Sequence, residues 1–108
     1  MEIKEALEIF ETYRNSRHQK LVNALLISAV RYSRLRVDWY LSTLEHRNEL
    51  EEERTRAHNA FLSNCDILSR NMKEAGEDNL WYSQIGAERK SIGDFACLIN
   101  AIMGIKAR

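Results

Sequence analysis

The side chains best equipped for chemistry in this sequence are three histidines, His18, His46 and His58, and two cysteines, Cys65 and Cys97. Helical proteins build metal centres by setting a glutamate three residues before a histidine on facing helices. The residues three places before these histidines are Asn15, Thr43 and Thr55, so no such ligand pair forms. No two histidines stand four apart, and no Cys-x-x-Cys occurs, which removes the usual zinc spacings. A nucleophilic thiol needs its base within hydrogen-bond reach. His58 and Cys65 lie seven residues apart on one predicted helix, ~10 Å, which is too far. The glycines, Gly76, Gly86, Gly93 and Gly104, are too widely spaced for a phosphate-cradling loop. The sequence therefore predicts no catalytic residue, no metal and no cofactor, and a protein that is not an enzyme.

The elements around these residues all read as helix. Proline is absent, the glycines fall in the last third, and helix formers dominate. Apolar spacing and capping residues predict helices over about 2–13, 17–36, 43–75 and 87–103, an all-α, four-helix bundle-like single domain over residues 1–108 with one long third helix. Asn15 and Ser16 are candidate caps for the second helix. Ser42 with Glu45 makes a capping-box pattern for the third, and Ala75-Gly76 its stop. Leu80, Trp81 and Tyr82, between the last two helices, are expected to fold back over the bundle.

The third helix divides into unlike halves. Ala57, Phe61, Cys65, Leu68, Met72 and Ala75 recur at spacings of three and four, a core face. Residues 45–56 (EHRNELEEERTR) read as a solvated face, with Leu50 their only large apolar side chain and Glu52 placed to pair with Arg56. Antiparallel neighbours then pair the fourth helix with the core half of the third, burying Phe61, Leu68, Phe95 and Ile99. The same register brings Arg70 to Asp94 as a candidate ion pair. Gly93, Cys97, Asn100 or Ala101, and Gly104 line one side of the fourth helix with small groups that permit close approach.

That arrangement leaves the second helix overprovided with apolar surface. Its run LVNALLISAV, residues 21–30, contains only Asn23 and Ser28 as polar residues, yet is too short for a membrane span of ~20 residues. Val22, Leu26, Val30, Leu50, Arg54 and His58 form the candidate interaction surface. About three or four large side chains without a partner would favour self-association, most simply a two-fold homodimer through the second helices.

Charge narrows the partners. Lys plus Arg and Asp plus Glu each number 16, so the chain lacks the basic excess with which proteins neutralise phosphates. A nucleic-acid reading would rest on Arg14, Arg17, His18 and Lys20 and on Arg31, Arg34 and Arg36, around the second helix. No basic start followed by an apolar core marks a leader. With two cysteines read as buried thiols, the expectation is a cytoplasmic protein without membrane association.

The stretches RVDWYLST (36–43), ERTRAHNAFLSNCDILSRNM (53–72) and NLW through RKSIGDFA (79–96) resemble a group of small helical proteins of Gram-positive bacteria and their integrative elements and phages. His58-Asn59 is the most distinctive part of that likeness. The resemblance implies a context and no activity: small accessory proteins that bind host or element machinery, including inhibitors of host defence such as anti-CRISPR proteins. The leading expectation is a non-enzymatic protein-binding module. A nucleic-acid-binding accessory protein is the alternative, and an enzyme with a site assembled between subunits around His58 is the third.

Overall fold

A computed structural model of the chain describes residues 18–77, 81–82 and 88–106, with side chains to residue 103. Among the described residues there are three helices, not four, and no strand: α1 (Gln19–Leu41), α2 (Leu44–Glu74) and α3 (Arg89–Lys106). The helix expected over 2–13 lies outside the described residues, as do the candidate caps Asn15 and Ser16. The all-α reading holds, and α2, the predicted long helix, is the longest of the three.

Local chemistry explains the boundaries. α1 runs five residues beyond the expected end at 36, because nothing between Val37 and Leu41 breaks a helix. The cap of α2 is Thr43, whose Oγ1 accepts from the His46 amide at 3.3 Å. Ser42, expected to serve in a capping box, instead donates its hydroxyl to the Asp38 carbonyl and finishes α1. At the other end Gly76 takes φ +73°, the Glu77 amide reaches the Met72 carbonyl at 2.9 Å and the Gly76 amide that of Lys73 at 3.0 Å. This is a Schellman closure, and glycine is there because a Cβ strains that backbone.

α1 and α2 form an antiparallel hairpin. Asn64 of α2 donates to the Ala24 carbonyl at 3.2 Å and to Ser28 at 2.9 Å, while Arg47, near its start, donates to the carbonyls of Trp39 and Tyr40 at 3.0 and 2.9 Å. α3 then departs from the expected arrangement. It packs mainly along α1 and only lightly on α2. Trp81 and Tyr82 lie back along α2, Trp81 donating to Met72 Sδ at 3.4 Å and Tyr82 to Asp66. α3 therefore starts beside the end of α2's charged half, where Arg89 meets Thr55 at 3.3 Å, and runs parallel to α2 and antiparallel to α1. The prediction assumed a short connection, which would have forced α3 antiparallel to α2.

The core lies where the three helices meet. Tyr32, Phe61, Phe95 and Trp81 form a ladder of rings with successive centroids 6.3, 5.9 and 6.3 Å apart. Phe61, Leu68, Phe95 and Ile99 are all buried, as expected, and Trp81 folds in with them while Tyr82 is half-buried. Leu80 lies outside the described residues.

Candidate interaction surface

Because α3 settles on α1, α1 becomes the helix between two others, and the predicted interaction surface is largely covered. Val22 is buried at 3% exposure, and Leu26, Val30, Leu50, Arg54 and His58 are half-buried. These six do not make one open face, although Val30 also lines a shallow groove on the outer face of α1. Much of the apolar surface of residues 21–30 is taken up within the chain: Val22, Leu25 and Ala29 join the core shared with α2 and α3, and Leu21 and Leu26 pack against it.

Arg54 and His58 instead belong to the seam between α1 and α2. The guanidinium of Arg54 lies 4.1 Å from the centroid of the Trp39 ring, and that of Arg47 lies 4.6 Å from it. Guanidinium is planar and weakly hydrated, so it can cover an aromatic face at little desolvation cost. His58 stands edge-on to Tyr32, with centroids 5.4 Å apart, and its Nδ1 meets Asn59 Oδ1 at 3.1 Å. Nitrogens Trp39 Nε1, Arg54 Nε and His58 Nε2 are buried there without a hydrogen-bond partner.

The predicted Arg70–Asp94 pair does not form. Asp94 accepts from Arg36 Nη1 at 3.0 Å, while Arg70 is exposed. The reason is the changed direction of α3, which faces Asp94 to α1. The small side of α3 also lies against α1. A Cβ at Gly93 would stand 2.6 Å from Arg36 Nη1, and Cys97 Sγ accepts from Ser33 Oγ at 3.4 Å and Arg36 Nη1 at 3.8 Å. Asn100 completes the cluster by donating to Ser33 at 3.3 Å. Burial is the main factor raising Arg36's desolvation cost, but its contacts with Asp94 and Cys97 outweigh it and leave the guanidinium pKa above its ordinary value. Such a cluster fixes helix register more than it stabilises.

The histidines stand at three separate levels. His18 Nε2 meets Glu77 at the end opposite the α1–α2 turn, His46 Nδ1 meets Glu49 near that turn, and His58 lies between them. Among the described residues no group of three His, Cys, Asp or Glu side chains is placed to hold a metal ion. Neither cysteine is in a disulfide: Cys65 is buried, with its thiol pushed up to about 12 first by burial and then by Asp66, and Cys97 is half-buried. None of the described helices is long and apolar enough to cross a membrane.

Among the described residues, the outer face of α1 is open. Ile27, Val30, Arg31, Arg34, Leu35 and Asp38 floor a shallow groove, with Glu53 of α2 on one edge and Met103 of α3 on the other. Ile27 is 71% exposed, and Leu41, at the end of the same face, is 80% exposed. Arg31, Arg34, Asp38 and Glu53 are exposed, and none makes an ion pair among the described residues. Sequence reasoning missed this face because it weighed Arg31 and Arg34 only as nucleic-acid contacts and gave Asp38 no role. Its trace was the spacing of Ile27, Arg31, Arg34, Asp38 and Leu41 at intervals of four and three.

No family model matches the chain, and no curated protein or solved structure is similar to it.

Proposed function

We propose that this protein is a non-enzymatic protein-binding module whose contact surface is the outer face of α1. The observation that supports the reading is a groove lined by Ile27, 71% exposed, and by four charges that make no ion pair among the described residues, with Leu41, 80% exposed, one turn beyond it on the same face of α1. Exposed apolar groups gathered on one face and rimmed by polar side chains favour a protein interface. Charge argues against the nucleic-acid reading. Of the seven basic residues that reading uses, Arg36 is engaged with Asp94, and Arg31 and Arg34 share their groove with Asp38 and Glu53. Phosphates would be repelled there as much as attracted. The resemblance to small proteins of Gram-positive mobile elements suggests the class of partner, a protein of the host or of the element, with inhibition of host defence as one such role in the cytoplasm.

The test places a photo-crosslinking phenylalanine analogue at position 27 in cells of the native host. Irradiation should yield a discrete covalent adduct that is lost when the same analogue is moved to exposed Asn59. Recovery of the uncrosslinked chain alone would end the protein-binding reading.

A further inference from the structure

We infer that the occupant of this face is a second copy of the chain, with the two α1 helices antiparallel across a two-fold axis; the inference rests on the protein-binding reading and names its partner. Ile27, Arg31, Arg34, Asp38 and Leu41 are spaced four, three, four and three apart. At ~100° per residue they fall within about 40° of the direction of Ile27, the seam of a seven-residue repeat. Four of these five positions, Ile27, Arg31, Arg34 and Asp38, line the groove together, which places them on one open face. The buried residues of α1, Val22, Leu25, Ala29, Tyr32 and Ser33, occupy the opposite side.

The order along this seam is apolar, positive, positive, negative, apolar; its outer four positions are complementary to their own reverse, and the central Arg34 meets its own copy. An isologous contact sets residue i against j and j against i. Turning α1 end for end about a point beside Arg34 sets Ile27 against Leu41 of the second copy and Arg31 against its Asp38. Symmetry repeats both contacts. Arg34 falls at the axis, and Glu53 on the groove's edge is the carboxylate available to it. A parallel arrangement would instead stack Arg31 on Arg31 and Asp38 on Asp38. The charges thus select direction and register, and the apolar ends supply the attraction.

Size sets the strength. The seam rises ~21 Å over its 14 steps, and with flanks on the order of 20 Å wide it is about half the ~800 Å² per partner of a standard interface. The dimer should therefore be reversible, with a dissociation constant in the micromolar range.

Sedimentation equilibrium from low micromolar to submillimolar concentration tests this on the full chain. Arg31→Asp and Asp38→Arg should each weaken the dimer about tenfold or more, because each places two like-charged pairs in the contact. Mixing these two variants should restore association, since each supplies the charge that the other has lost. Ile27→Asp should abolish the dimer, whereas Tyr40→Asp should leave it intact, because Tyr40 is 73% exposed but lies on a different side of α1. Circular dichroism of every variant checks that the fold is kept; all of these side chains are exposed. A monomer throughout the range overturns the inference, as does failure of the mixed variants to associate or dissociation by Tyr40→Asp alone. A monomer that still yields the position-27 adduct, at a mass other than twice the chain's, overturns the second copy and leaves protein binding standing.

Discussion

The two halves of α2 belong to one unbroken helix and are held against α1 by different physics. From Ala57 onward, Ala57, Phe61, Cys65, Leu68, Ser69 and Met72 are buried, and removal of apolar surface from water supplies the attraction. Before Ala57 no residue of α2 is buried. That half docks through Arg47 and Arg54 over the Trp39 ring, and Arg47 also caps carbonyls of α1's last turn, which carries no basic residue of its own. A charged segment is thus not a detached one. An arginine can bring an apolar, planar face to a seam while its remaining donors reach carbonyls or solvent.

The contrast predicts unequal responses to truncation. Phe61→Ala removes the ring between Tyr32 and Phe95 and should cost ~3–5 kcal/mol, a large share of the stability of a domain this size. Urea unfolding that matched the parent protein would show that the ring ladder does not organise the core.

The core half also carries a pH signature. Cys65 in the folded chain titrates at about 12, against an ordinary thiol value of 9.0. Above pH 9 the unfolded chain gives up this proton first, so stability present below that pH declines toward pH 12. The alkaline loss should be smaller in Cys65→Ala, measured by urea midpoints across that interval. In the folded protein at neutral pH, Cys97 should react with a thiol reagent well before Cys65, because burial holds Cys65 in its thiol form. Equal rates would mean that α2 opens locally at Cys65.

The charged half should yield less. Trp39→Ala removes the ring under both guanidiniums and should cost about 1–2 kcal/mol, between the values for exposed and desolvated pairs. An unchanged urea midpoint would reduce that half to a solvated extension of α2. Smallest of all is Glu52→Gln, which breaks the exposed pair with Arg56 at 3.0 Å and should cost ~0.2–0.5 kcal/mol at most, less in salt. A loss above 1 kcal/mol would show the surface charges acting as a network.

Residue type and spacing by themselves determined that the chain is helical, where α2 begins and ends to within a residue, and which of its positions face the core. These follow from local chemistry: Thr43 can cap a helix, Gly76 can take a positive φ, and apolar residues three and four apart share a face. The pairing of Glu52 with Arg56 was legible for the same reason, since one helical turn sets that distance. The placement of α3 was decided only in three dimensions. Its direction depends on how the segment holding Trp81 and Tyr82 lies along α2, through contacts with Met72 and Asp66 that no local pattern encodes. Once α3 lies against α1, Asp94 meets Arg36 rather than Arg70. The open face moves with it to Ile27, Arg31, Arg34, Asp38 and Leu41. Helix periodicity can say which residues share a face, but only packing decides which face is left to water.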